Sequence, residues 1–224
     1  MLRQHDWAVA LLALAFGVAG AARAGDDSIS TVMGSITVSA GEHRGDLATV
    51  NGSIRIGEGA GVGHAHTVNG SIALEPRATA AEVKTVNGSV QLSEGAQVSG
   101  PVHTVNGSMS LEKGANVAGA LANVNGTIRV RAAHVGGDVD TVTGSIEIGP
   151  DARVDGGVIV REDHSRSYQT GSRGTPRVVV GPGSVVKGTL RFERTVALYV
   201  SDRATIGPVE GATPIKFSGD HPPD

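Results

Sequence analysis

Cysteine is absent from all 224 residues. No disulfide can hold the fold, and the lipid attachment of an exported lipoprotein, which needs a cysteine at the cleavage point, is excluded. Aromatic residues make up 3% of the chain. The one tryptophan, Trp7, lies near the start, and Tyr168, Phe192, Tyr199 and Phe217 fall in the last third. Sugar-cleaving sites on stacked strands use aromatic platforms, and residues 25–167 offer none. An excess of positive charge is also missing. The formal net charge is −3, which argues against a nucleic acid or other polyanion as partner.

One long apolar run is present, Ala8 to Gly20. Arg3 precedes it and Ala22-Arg23-Ala24 follows it. A basic start, a short apolar stretch and small residues at the cleavage positions are the pattern of a secretory signal. Residues 1–24 are therefore expected to be removed, leaving a mature chain from Gly25 with no transmembrane segment. Without Arg3, Asp6 and Arg23 that chain has 17 basic and 21 acidic residues, a net of −4. An uncleaved anchor is the competing reading. The expected localisation is periplasmic or extracellular.

Glycine is abundant, at 33 residues, and it recurs in a fixed context. Thr49-Val50-Asn51-Gly52-Ser53-Ile54 returns at Thr67, Thr85 and Thr104, with weaker copies near Thr31, Asn123 and Thr141. Asn51, Asn69, Asn87, Asn106 and Asn125 are spaced 18, 18, 19 and 19 residues apart. A short period held this long signals a repeat architecture. Within each period, apolar residues come in i, i+2 pairs such as Ile54/Ile56 and Val90/Leu92. That is strand spacing, and glycine at this density weakens helices. The expected fold is an all-β, single-stranded parallel β-helix, or β-solenoid. It has three short strands per 18–19-residue coil and about ten coils, spanning residues 25–212, with a tail at 213–224. Val50, Ile54 and their equivalents are expected to fill the core. At about 4.8 Å per coil the rod is roughly 45–50 Å long.

The corner chemistry should repeat as well. The pairs Asn51-Gly52, Asn69-Gly70, Asn87-Gly88, Asn106-Gly107 and Asn125-Gly126 form a ladder of turns, with glycine expected to supply a positive φ. The asparagines are expected to hydrogen-bond from coil to coil, and the serines that follow to bond locally. Each Asn-Gly-Ser/Thr is also formally a glycosylation acceptor, but one repeated turn explains all the copies together.

The segments Gly114–Leu121, Gly149–Val158 and Gly181–Phe192 resemble the bactofilins, bacterial polymer-forming cytoskeletal proteins. The Thr-Val-Asn-Gly-Ser-Ile copies resemble the repeats of bacterial putative-adhesin domains. Together these resemblances cover nearly all of residues 31–212. They imply a right-handed β-helix, end-to-end self-association and no catalytic residues. Bactofilins work inside the cell, so the export signal moves the expected role to the envelope.

Chemistry-bearing residues are few. His64 and His66 share one side of a strand, and His66, Lys84 and His103 share a column, but no third metal ligand is evident beside the histidines. Glu58, Glu75, Glu94 and Glu112 drift along one corner and read as a solvated edge; their enzymatic reading is a carbohydrate-active β-helix. Ile56–Gly63 and Ile148–Arg153 resemble the hexapeptide repeats of left-handed β-helix acyltransferases, and the six-residue spacing of Val50, Ile56, Val62 and Val68 fits that reading, so periodicity alone leaves the handedness open. The repeat breaks once, at 161–176. Arg161, His164, Arg166, Tyr168 and Arg173 there form a candidate interaction loop for an acidic group or an envelope or cell-surface partner. No cofactor is expected, and the reading is a non-enzymatic structural or adhesin-like module.

Overall fold

The computed structural model describes residues 27–162 and 175–222. These form an all-β, parallel solenoid whose pairings run coil to coil along the chain. One side is a ten-stranded sheet of short strands, from Ile36–Val38 and Ile54–Ile56 to Ile215–Phe217, one strand per coil. The other two sides belong to a second sheet, joined where Gly61–Asn69 and Thr79–Asn87 run from one side to the next without a break. Later coils divide this stretch, as in Gln97–Val98 and Val102–Asn106.

Register explains how the period stretches from 18 to 19. Ala80 pairs with Val98, but Val83 pairs with Val102. The extra residue is taken up around Gly100 and Pro101, at a corner, so strands on both sides stay aligned. The larger excursion obeys the same rule. Ile146 pairs with Val178 and Val160 with Phe192, so residues 161–176 occupy the place of one Asn-Gly corner.

The core is a column of Leu, Ile, Val and Ala, including Leu47, Ile54, Ile56, Ala60 and Ala65, stacked on equivalents in each coil. No coil has a core of its own, so stability depends on its neighbours. On the third side, strand alternation corrects an expectation. Leu47 and Thr49 point inward and are buried, whereas Val50 is half-buried on the outside. The same holds for Thr67 against Val68, Thr85 against Val86 and Thr104 against Val105. Val50, Ile56, Val62 and Val68 therefore do not share one inward face, since Ile56 is buried and Val50 and Val68 are not. A strand's side chains alternate strictly, so Leu47 and Ala65 set the parity and the threonines fall inside.

A buried hydroxyl needs a partner. Thr49, Thr67, Thr85 and Thr104 each donate from Oγ1 to the carbonyl of Gly34, Gly52, Gly70 and Gly88, at 2.8–3.1 Å, one coil back. Asn123 replaces the threonine in the next coil and bonds Gly107 O. Thr141 then donates to Asn123 Oδ1.

The same glycine carbonyls explain why glycine repeats. Gly52, Gly70, Gly88 and Gly107 do not have positive φ. A Cβ added at Gly88 would lie 1.9 Å from Gly70 O, and one at Gly70 2.0 Å from Gly52 O. Close approach of stacked backbones requires glycine here. Among the repeats, Gly126 alone combines that contact with a φ of 126°. Left-handed backbone instead forms a column at a different corner: Gly41, Gly59, Arg77, Gly95, Gly114, Ala132, Asp151 and Gly183. The serines also bond differently from expectation. Ser35, Ser53, Ser71 and Ser89 accept the N–H of the serine one coil on, at 3.2–3.4 Å, rather than bonding within their own turn.

Two substitutions separate these corners. Gly88→Ala should cost about 1–3 kcal/mol, because the added methyl must push two coils apart. Ala132→Gly should gain up to about 1 kcal/mol, since relief of a left-handed alanine outweighs glycine's chain entropy. Denaturant midpoints of the two variants check both signs.

Candidate functional site

The asparagine corner lies on an outer edge. Asn69 Nδ2 donates to Asn51 Oδ1 and Asn87 Nδ2 to Asn69 Oδ1, both at 2.9 Å. Asn106 donates to Asn87 at 3.1 Å. Among the described residues no such bond joins Asn125 to Asn106, so the amide ladder stops one coil short of expectation; Asn125 Oδ1 lies 3.5 Å from the hydroxyl of Thr143 instead. The ladder uses the amides to tie one coil to the next.

Where the excursion leaves this corner, charge is concentrated. Arg161 sits over Asp140, with Nε at 2.6 Å and Nη2 at 2.5 Å from Oδ2. Asp140 is buried. Loss of water raises its pKa, with Asp138 and Glu193 adding to the rise, and Arg161 opposes it. Its Oδ1 is buried without a partner among the described residues. Glu162 N–H donates to Glu193, and Arg194 reaches back to the carbonyl of Val142. His164, Arg166, Tyr168 and Arg173 lie outside the described residues. Sequence reasoning singled out Arg161 but missed Asp140. The signal was there: an acid stands in the column that carries Ala122 and Ile159 in the adjacent coils.

On the carboxylate edge, two of the four glutamates pair with cations. Arg77 pairs with Glu58, and Arg55 with Glu75 at 2.6 Å. Glu112 accepts from Ser110. On the second side Asp155 gathers Lys187, His134 and Arg153, and the hydrogen bonds from Lys187 and His134 hold its pKa well below the usual carboxylate range. Such arrangements fix neighbouring coils in register. Beside the ten-stranded side, residues 220–222 share a groove of about 460 Å³ with Thr127, Arg129, Glu147 and Arg177. Residues 220–222 thus lie along the outside of that sheet, whereas Ile215–Phe217, earlier in the expected tail, forms its last strand.

His66, Lys84 and His103 stand side by side on successive coils. Burial, followed by the charge of Lys84, lowers the pKa of both imidazoles. His66 Nε2 and His103 Nδ1 are buried without hydrogen-bond partners among the described residues.

The ends differ from the sides. The first coil, Ile29–Met33 and Ile36–Val38, is paired on one edge alone among the described residues. The last, Thr205–Ile206, Val209–Glu210 and Ile215–Phe217, is likewise paired on one edge. Among the described residues, the large exposed hydrophobic side chains are Val32, Met33 and Ile215, at 62%, 78% and 48% exposure. All three belong to these two end coils. No described helix is long and apolar enough to cross a membrane.

Searches against known protein families, curated proteins and solved structures gave no match to this chain.

The histidine column makes stability depend on pH. With folded pKa values below 6.5, the unfolded chain takes up protons that the fold does not. Stability is then full above 6.5 and is lost as pH falls from 6.5 through the folded values. His103→Gln should lose less stability than the unmodified protein over that interval, as read from melting temperatures between pH 7.5 and 5.

Proposed function

We propose that the chain is an exported, non-enzymatic β-solenoid that serves as an assembly and interaction module of the cell envelope, in the manner its bactofilin-like and adhesin-like segments imply. One observation carries this reading. Among the described residues, the exposed large hydrophobic side chains are confined to the two end coils, where the outer parallel backbone edges also have no strand partner. A bare edge is a template for another strand. Every pairing along the stack is parallel, so the last coil of one copy meets the first coil of the next in the orientation that two successive coils already use. Such contact is head-to-tail and does not close, which gives filaments rather than rings. The flat sides, with their inter-coil ion pairs, remain available to an envelope or cell-surface partner.

Electron microscopy of the purified chain from Gly25 tests assembly. Filaments about one solenoid wide are expected, and Met33→Asp or Ile215→Asp should shorten them to single rods. Monodisperse rods in the unmodified protein at high concentration refute end-to-end assembly. Export has its own check: mass spectrometry of the periplasmic and culture fractions should find a chain starting at Gly25, and an intact Met1 form confined to the cytosol overturns it.

A further inference from the structure

The outer face of the third side carries a cluster that assembly does not use. His64 and His66 alternate with Ala65 on one strand, so both rings leave the same face. On the next coil, His64 is paired with Glu82 and His66 with Lys84. Glu82 Oε2 lies 3.3 Å from His64 Nδ1. One donor atom from each of His64, His66 and Glu82 lies within 4.8 Å of the other two. The third ligand that sequence reading could not identify is therefore Glu82, which lies 18 residues from His64 and beside it in space.

We infer that His64, His66 and Glu82 form a binding site for a divalent transition-metal ion of the zinc type. Two imidazoles and one carboxylate are a donor set that zinc accepts with a fourth position left open. Ligand atoms around a tetrahedral zinc stand about 3.4 Å apart, given bonds of about 2.0–2.1 Å. The His64–Glu82 pair already has that separation, and side-chain rotation brings His66 to it. The rings differ in exposure, His64 being exposed and His66 half-buried. The open position therefore faces solvent, where water or a donor from a partner completes the shell.

The surroundings hold these ligands in place. Lys84 bonds the other carboxylate oxygen of Glu82, leaving Oε2 toward the histidines. Outer partners of this kind orient a ligand. Asp46, one coil earlier, accepts the backbone N–H of His64 at 2.8 Å and fixes the strand beneath it. Its charge and that of Glu82 favour a cation, and the charge of Lys84 opposes one. His66 also holds an unpartnered nitrogen, Nε2, a state that costs free energy until something reaches the ring. Calcium and magnesium take oxygen ligands and do not suit this set.

Titration calorimetry with Zn²⁺ on the untagged chain, at pH 7.5, tests the site. One saturable equivalent per chain is expected, with no response to Mg²⁺ or Ca²⁺. His64→Ala, His66→Ala and Glu82→Gln should each weaken binding by about tenfold or more, with circular dichroism showing the fold retained. His103→Gln should leave it unchanged. The absorption spectrum of the Co²⁺ complex should be that of a four-coordinate ion and should vanish in His66→Ala. Absence of saturable binding overturns the assignment. So does binding that survives His66→Ala, or binding lost in His103→Gln.

Discussion

The structure depends on how closely two coils approach at one corner. There the carbonyl of each glycine points at the Cα of the glycine one coil on, at a distance that leaves no room for a Cβ. The same oxygen receives the hydroxyl of the buried threonine. One atom thus sets the spacing, excludes side chains and satisfies an inward polar group. The asparagine and serine ladders run beside it and repeat the same linkage through different atoms. A fold made this way has no separate core for each repeat, and its integrity is a property of neighbours.

This constraint also governs where variation is tolerated. The strands hold register across all the coils, while corners gain one residue near Pro101 or thirteen between Val160 and Arg177, where the offset between paired coils rises from 19 to 32. Such insertions leave the stacked pairs on both sides in register. The excursion is anchored where it leaves the stack, through Arg161 on Asp140, so a partner that binds there meets a fixed base. The sides carry ion pairs between coils, and among the described residues the large exposed hydrophobic groups lie at the ends. The proposed assembly at the ends, the proposed recognition on the sides and the proposed ion site near the N-terminal coils therefore fall on separate surfaces.

Much of the fold was legible in the chain because a repeat displays its own alignment. The 18–19-residue period gave the coil, the paired apolar residues gave the strands, and Asn-Gly marked a corner. Parity on the third side was not legible. Thr49 and Val50 are both β-branched, and reading hydrophobicity alone places the valine inside. The strand runs on from Leu47, whose inward direction leaves Thr49 inside and Val50 outside. Glycine's role was misread for a related reason: a sequence displays conformational need and contact need with the same letter. The left-handed corner was hidden because Arg77, Ala132 and Asp151 stand among its glycines.

By itself the sequence determined the architecture: a parallel, three-stranded coil repeated about ten times, with one interruption. Local periodicity is enough for that, since each coil is laid on a near copy of itself. Tertiary structure decided which face each side chain meets and which residues meet across coils. Asp140 and Arg161 are 21 residues apart, and His64 and Glu82 are 18. Their encounters depend on register between coils and on the parity of a strand. A shift of one residue in either would turn those side chains to the opposite face, and no residue type records that choice.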